Sequence, residues 1–182
     1  MIAIPHYIDP DEYLIIDRDS STRHEYHHGL VYAMAGGSDT HSQIGIKLLG
    51  LIDNHLDDTP CRVYNEVKVT HNDEFFYYPD AFVTCDPRDR EDRYIKRHPK
   101  LIAEVLSKST EKFDRTDKFT NYQKLDNLEE YVLIEQDAQR VECRRRNADN
   151  IWETTVYETG DRVTLTSLNL EFDIARLYRG LD

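Results

Sequence analysis

Residues 101–119 read LIAEVLSKSTEKFDRTDKF, and the first six of them decide the fold. Five apolar residues of the kind that fill a strand buried on both faces enclose one carboxylate, Glu104. No alternation of polar and apolar positions puts Glu104 on a wet face. A carboxylate there is costly unless something pairs with it or binds to it. The strand ends at Leu106, a tight turn runs through Ser107–Thr110, and a helix over about 114–126 comes back across it. Ser107 and Thr110 read as caps of that turn. On the helix, Asp114, Lys118 and Tyr122 stand at i, i+4 and i+8 and share one face. By spacing alone, Asp114 and Lys118 form an ordinary exposed ion pair.

Outward from this stretch the chain alternates strands and helices. Upstream, FFYYPDAFVTCD (75–86) predicts an aromatic, β-branched strand interrupted by Pro79, and RVYNEVKVT (62–70) a regularly alternating one. SDTHSQIGIKLLGLIDNHL (38–56) predicts a helix whose apolar face is Ile44, Leu48, Leu51 and Ile52, capped by Ser38, Asp39 or Thr40. HEYHHGLVYAMAG (24–36) predicts a hairpin with Glu25 in its first strand, a turn at Gly29 and a return strand over 30–35. Residues 8–18 predict a short helix with Asp9 or Asp11 near its start. Downstream, EEYVLIE is a fourth strand, and RVECRRR with IWETTVYE forms a hairpin. The tail LTSLNLEFDIARLY adds a short strand and a last helical turn. This is an α/β pattern, a mixed α+β sheet with helices on its faces and β additions at both ends.

At 182 residues without repeats or linkers, the chain is expected to be a single domain, 1–182, with a real core. No run approaches the ~20 apolar residues of a bilayer span, and the N-terminus lacks a signal-peptide pattern. Cys61, Cys85 and Cys143 are an odd, scattered set without CxxC spacing, expected to be reduced in a cytoplasmic protein. The net charge of -12, from 23 Lys+Arg against 35 Asp+Glu, opposes nonspecific phosphate binding. A local basic patch or metal ions would have to offset it.

Asp80, after Pro79 in the aromatic strand, and Glu104 project from one region of the sheet if their strands are neighbours. Two close carboxylates repel each other unless a cation sits between them. Mg2+, or Mn2+, suits hard oxygen ligands and keeps waters for chemistry. It lowers the pKa of a bound water and offsets charge on a phosphate oxygen.

YYPDAFV, LIAEVLSKST, DRTDKFTNY and EEYVLIE, in that order, resemble the PD-(D/E)XK nuclease superfamily. More closely, the chain is similar to its bacterial restriction-endonuclease branch, a former domain of unknown function. The likeness reaches upstream to HEYHHGLVYAMAG and spans residues 9–146. It implies a restriction-endonuclease-like core with a metal site between neighbouring strands. Asp80 and Glu104 would be the metal ligands, helped by the Val105 carbonyl. Leu106 stands where the E-x-K motif has lysine; in this branch the lysine comes from the following helix, here Lys118. Glu25 and His41 match auxiliary positions, Glu25 for a second metal or its water, His41 for a carboxylate or phosphate. The resemblance also implies nucleic acid, DNA first, as partner. The hairpin at 139–158 and the aromatic-rich surface suggest a homodimer, as many nucleases use two sites for two strands.

Two patterns are decoys. Glu66-x-Lys68 spells E-x-K, but it lacks an upstream Pro-Asp and alternation makes it a solvated face. His24, His27 and His28 suggest zinc, yet adjacent strand residues face opposite sides and no fourth ligand matches, so they read as surface histidines. Phosphate contacts are expected from Arg88, Arg90, Arg93, Lys96, Arg97, Lys100 and Arg144–Arg146. The leading expectation is a divalent-metal-dependent endonuclease. The alternatives are a nuclease-fold binding module without catalysis and a metal hydrolase of a small phosphorylated substrate.

Overall fold

A computed structural model describes residues 7–34 and 36–181. Helix α1 (Pro10–Asp19) begins where Asp9 accepts a hydrogen bond from the Glu12 amide, with proline in the first turn, where its missing N–H costs nothing. Strands β1 (His24–His27) and β2 (Leu30–Ala33) form the expected hairpin. His28 and Gly29 both take positive φ, 48° and 91°, which matches the twist of a two-residue hairpin. Of the return strand expected over 30–35, Ala35 lies outside the described residues. Helix α2 (Asp39–Leu56) is capped by Ser38, the first of the three candidates, and buries the four residues that its periodicity named.

The remaining strands are β3 (Arg62–Tyr64), β4 (Lys68–Val69), β5 (Phe75–Phe76), β6 (Ala81–Thr84), β7 (Ile95–Lys96) and β8 (Pro99–Val105). They continue with β9 (Glu130–Ile134), β10 (Arg140–Arg146), β11 (Trp152–Glu158), β12 (Arg162–Leu165) and β13 (Leu170–Asp173). Six of them make the central mixed sheet in the order β11-β10-β9-β8-β6-β3, with β8 and β9 parallel and the other pairs antiparallel. The hairpin β2-β1 adds β5, and β12-β13 is a second hairpin near the closing turn Ala175–Tyr178.

Side chains alternate across the sheet, so its two faces have separate cores. Ala81, Val83, Leu101, Ala103, Val105, Val132 and Ile134 pack under α2 and the C-terminal segment. Phe82, Ile102, Tyr131 and Leu133 face the other side, with Tyr122, Leu125 and Leu128. Glu104 has the parity of Ile102, so it projects on this second, aromatic face. Burial on both faces explains why LIAEVL does not alternate.

Several expectations are corrected. RVYNEVKVT is not one strand: Glu66 sits at φ 58° and splits it into β3 and β4. The helix expected over 114–126 runs from 111 to 122, as Glu111–Phe113, a π turn at Asp114–Lys118, and Phe119–Tyr122. The tail carries the expected short strand, β13, and last helical turn, and β13 pairs with a strand just before the tail, β12, that the sequence reading did not name. Cys61 and Cys85 are not reduced thiols but a disulfide. Arg62 opposes Thr84 in the β3–β6 ladder, which leaves the two cysteines facing each other one residue beyond it.

Candidate active site

The β6–β8 register sets Ala81 opposite Ala103, so Asp80 and Glu104 are the next pair along, on one face. The Asp80 amide lies 3.4 Å from Glu104 Oε2, and Asp80 Oδ2 accepts from the Val105 amide at 2.7 Å. His41, from the first turn of α2, meets Asp80 Oδ1 at 2.9 Å through Nε2. Glu25, on β1, accepts from the Tyr78 amide at 2.9 Å. All five expected side chains line one open cleft of about 1780 Å³.

Lys118 is the hub. Its Nζ lies 3.0 Å from Glu104, 3.1 Å from Glu25 and 3.5 Å from Asp114, above the Tyr77 ring at 5.4 Å. The pair that spacing made exposed is buried: Asp114 is 3% and Lys118 5% exposed. Tyr122, last of the i, i+4, i+8 series, donates its hydroxyl to Glu104 at 3.1 Å. π turns occur often at functional sites. This one is held from the sheet, since Tyr131 donates to the Asp114 carbonyl and Arg144 to that of Arg115, both at 2.9 Å.

Burial pushes the Glu104 carboxyl well above its ordinary value; Asp114, Asp80 and Glu25 add to the rise and Lys118 opposes it. Burial likewise raises Asp114 against the pull of Lys118. Burial disfavours the Lys118 ammonium, yet Glu104 and Glu25 hold its pKa well above that of a free lysine. The directions are compatible: one ammonium serving three acids keeps its proton, while the acids repel one another. The hydrogen bond to Asp80 raises His41, and burial offsets part of that.

Three further residues carry weight here. Asp114 was signalled by its spacing from Lys118 but not as a cleft carboxylate. Asn121 donates to the Tyr77 hydroxyl at 2.7 Å, beside His27, and nothing in the sequence pointed to it. Gln136 accepts from Ser38, the cap of α2, and donates to the Leu106 carbonyl, each at 2.6 Å, tying the helix that carries His41 to the end of β8.

The decoys and the basic loop differ from expectation in detail. Glu66 pairs with Arg23 at 2.9 Å, whereas Lys68 is no solvated residue but pairs with buried Asp17 at 2.7 Å. His24 and His27 are partly buried, His27 against Tyr77, so only His28 is a surface histidine. Most of the residues expected at phosphates have partners within the fold. Arg88 pairs with Asp86, Arg97 with Asp73 and Asp92, Lys100 with Glu129, Arg144 with Glu142 and Arg145 with Glu130. Lys96 is buried on the Asp89 and Asp92 carbonyls, and Arg90 and Arg146 also donate to carbonyls. None of these residues, nor Arg93, lines the cleft.

The sequence pattern of the Uma2 family, described as "Putative restriction endonuclease", matches residues 10–176. The chain belongs to this family. It is 39% identical over 176 residues to the uncharacterized protein slr1290 of Synechocystis sp., covering 96% of this chain and 93% of that one. It is 28% identical over 156 residues to a second uncharacterized protein of that organism, sll1609, covering 84% and 88%. Its fold matches a crystal structure from Anabaena variabilis ATCC 29413, described as "a putative nuclease belonging to DUF820", with a TM-score of 0.79. That match has 23% identity and covers 94% of this chain and 97% of the other. The fold is thus a nuclease-like mixed α+β fold. No helix among the described residues is long and apolar enough to cross a membrane.

Proposed function

We propose that the cleft is the active site of a divalent-metal-dependent endonuclease that hydrolyses phosphodiester bonds of nucleic acid, DNA first. The observation that carries this reading is the opposition of Asp80 and Glu104 across β6 and β8, with the Lys118 ammonium 3.0 Å from Glu104. Family membership supports a nuclease.

The donor set fits Mg2+ or Mn2+. Glu25, Asp80, Glu104 and Asp114 outnumber the Lys118 ammonium, and even a protonated His41 leaves negative charge over. Asp80, Glu104 and the Val105 carbonyl are the hard oxygens assigned to the ion. Among the described residues no group of three or more His, Cys, Asp or Glu side chains converges on one point. Two carboxylates, with water completing the shell, are what Mg2+ ordinarily takes from a protein. Once bound, the ion supplies a Lewis acid for a phosphoryl oxygen and a water of lowered pKa.

The chain's own residues then divide the work. His41 fixes Asp80 through Nε2, and Tyr122 and Lys118 orient Glu104. Lys118, kept protonated by its acids, stabilises charge that grows on the phosphoryl oxygens as water attacks phosphorus and the P–O bond to the leaving oxygen breaks. Glu25 is auxiliary, holding Lys118 and accepting a hydrogen bond from water. The reading takes the chain as one domain working in the cytoplasm. It includes a homodimer through the exposed edge strand β11, testable by light scattering. The deciding experiment is cleavage of plasmid and of single-stranded DNA with Mg2+ by the Asp80→Ala and Glu104→Ala proteins. Full activity in both defeats the assignment.

A further inference from the structure

The hairpin β1-β2 has two unlike faces. Tyr26 and Val31 pack on Tyr13 and Phe76, while Arg23, Glu25, His27, Leu30, Tyr32 and Met34 line the cleft. Tyr32 is the cross-strand partner of Glu25, and such partners have Cβ atoms about 5 Å apart. Tyr32 is 51% exposed, Met34 37%, and Ile46 of α2, also on the cleft, 59%. Exposed apolar side chains gathered in one cleft mark a ligand surface more often than scattered ones do.

The charge of the same cleft limits what that ligand is. Nine carboxylates and three Lys/Arg line it. Two of the three cations, Arg23 and Lys118, are held by glutamates, and Lys108 faces Asp137. A duplex brings a phosphate charge every ~1.7 Å and is bound by rows of cations. An ion held by Asp80 and Glu104, with Lys118, would meet one scissile phosphate, and among the described residues no row of free cations lines the cleft for its neighbours. Aromatic side chains bind unpaired bases without rows of charge.

We propose, resting on the phosphodiesterase reading above, that the substrate is single-stranded nucleic acid whose base beside the scissile phosphate stacks on Tyr32, with Met34 and Ile46 completing the apolar wall. Tyr32 is a specificity-determining residue and takes no part in the chemistry.

The test compares wild type, Tyr32→Ala and Tyr32→Phe on a single-stranded oligonucleotide, its duplex and bis(p-nitrophenyl) phosphate, with Mn2+. Tyr32→Ala is expected to raise KM for the single strand by roughly ten- to a hundredfold with kcat little changed. Tyr32→Phe restores wild-type KM, and kcat on the dye ester, whose own aryl ring can also reach Tyr32, is the same in all three. Equal cleavage of the duplex and the strand by wild type, or an unchanged KM in Tyr32→Ala, overturns the proposal. Loss of dye turnover in Tyr32→Ala does so too, because it shows damage to the site. Should wild type cleave none of the three, the phosphodiesterase reading fails. Anisotropy of the labelled strand then decides the stacking by itself: weaker binding to Tyr32→Ala supports it, and equal binding overturns it.

Discussion

Two buried glutamates stand on adjacent parallel strands and behave differently. Glu130, on β9, is fully buried and satisfied within the fold. Arg145 meets one oxygen at 2.7 Å, and the Ser167 amide and hydroxyl meet the other at 3.0 and 2.9 Å. Glu104, on β8, is almost as buried, yet it shares one ammonium with Glu25 and Asp114, faces Asp80, and borders a cleft. The first is a lock between β9, β10 and the C-terminal segment. The second is one carboxylate in an excess that a metal ion would neutralise. Burial alone does not mark a functional carboxylate; the ratio of acids to donors around it does.

The widest separation between the two is in catalysis. Glu104→Gln should cost at least about a thousandfold in kcat on a phosphodiester, as loss of a group acting in concert does. It should leave Tm unchanged or higher, because it relieves repulsion around Lys118. A Glu104→Gln protein that cleaves normally, or unfolds readily, would erase the contrast. Glu130→Gln should do the reverse. It leaves the Arg145 charge without its partner and should lower stability by about 3 kcal/mol, a fall of roughly 6–12 °C in Tm. Its kcat at permissive temperature should stay near wild type.

Metal linkage sharpens the same line. Mg2+ or Mn2+ at about a hundred times its Kd should stabilise wild type by ~2.7 kcal/mol. Differential scanning fluorimetry should show that shift in Glu130→Gln and lose it in Asp80→Asn and Glu104→Gln. The smallest effect concerns a third carboxylate, Asp17. Burial works to raise its pKa, but hydrogen bonds from Lys68, Tyr78 and the His24 amide hold it below its ordinary value of 3.8. A depressed folded-state pKa contributes stability above the unfolded value and loses it as pH falls through the folded one. Acid titration of Tm below about pH 4 should therefore be shallower in Asp17→Asn than in wild type.

Much of this layout is legible in the residues. LIAEVL, FFYYPDAFV and EEYVLIE fail to alternate because both sheet faces are covered, and the Pro79-Asp80 break sets where β6 begins. The α2 face and its serine cap follow from local periodicity and local hydrogen bonding. The Lys118 position follows from the resemblance together with helical spacing. What was illegible depends on partners distant in the chain. The basic loop looks free until Asp73 and Glu129 come round to meet it. Asn121 has no motif and acquires meaning only beside Tyr77 and His27.

By itself, then, the order of residues determined most of the strands and helices, and which two acids are out of place in them. Periodicity and desolvation act over a few neighbours, and such signals survive in one dimension. Only the tertiary structure decided that Asp114 is a cleft acid and that Cys61 meets Cys85. It also decided that Lys118 answers three carboxylates at once and that Tyr32 stands across from Glu25. Charge pairing and strand register depend on which elements become neighbours, and that is a property of the folded chain.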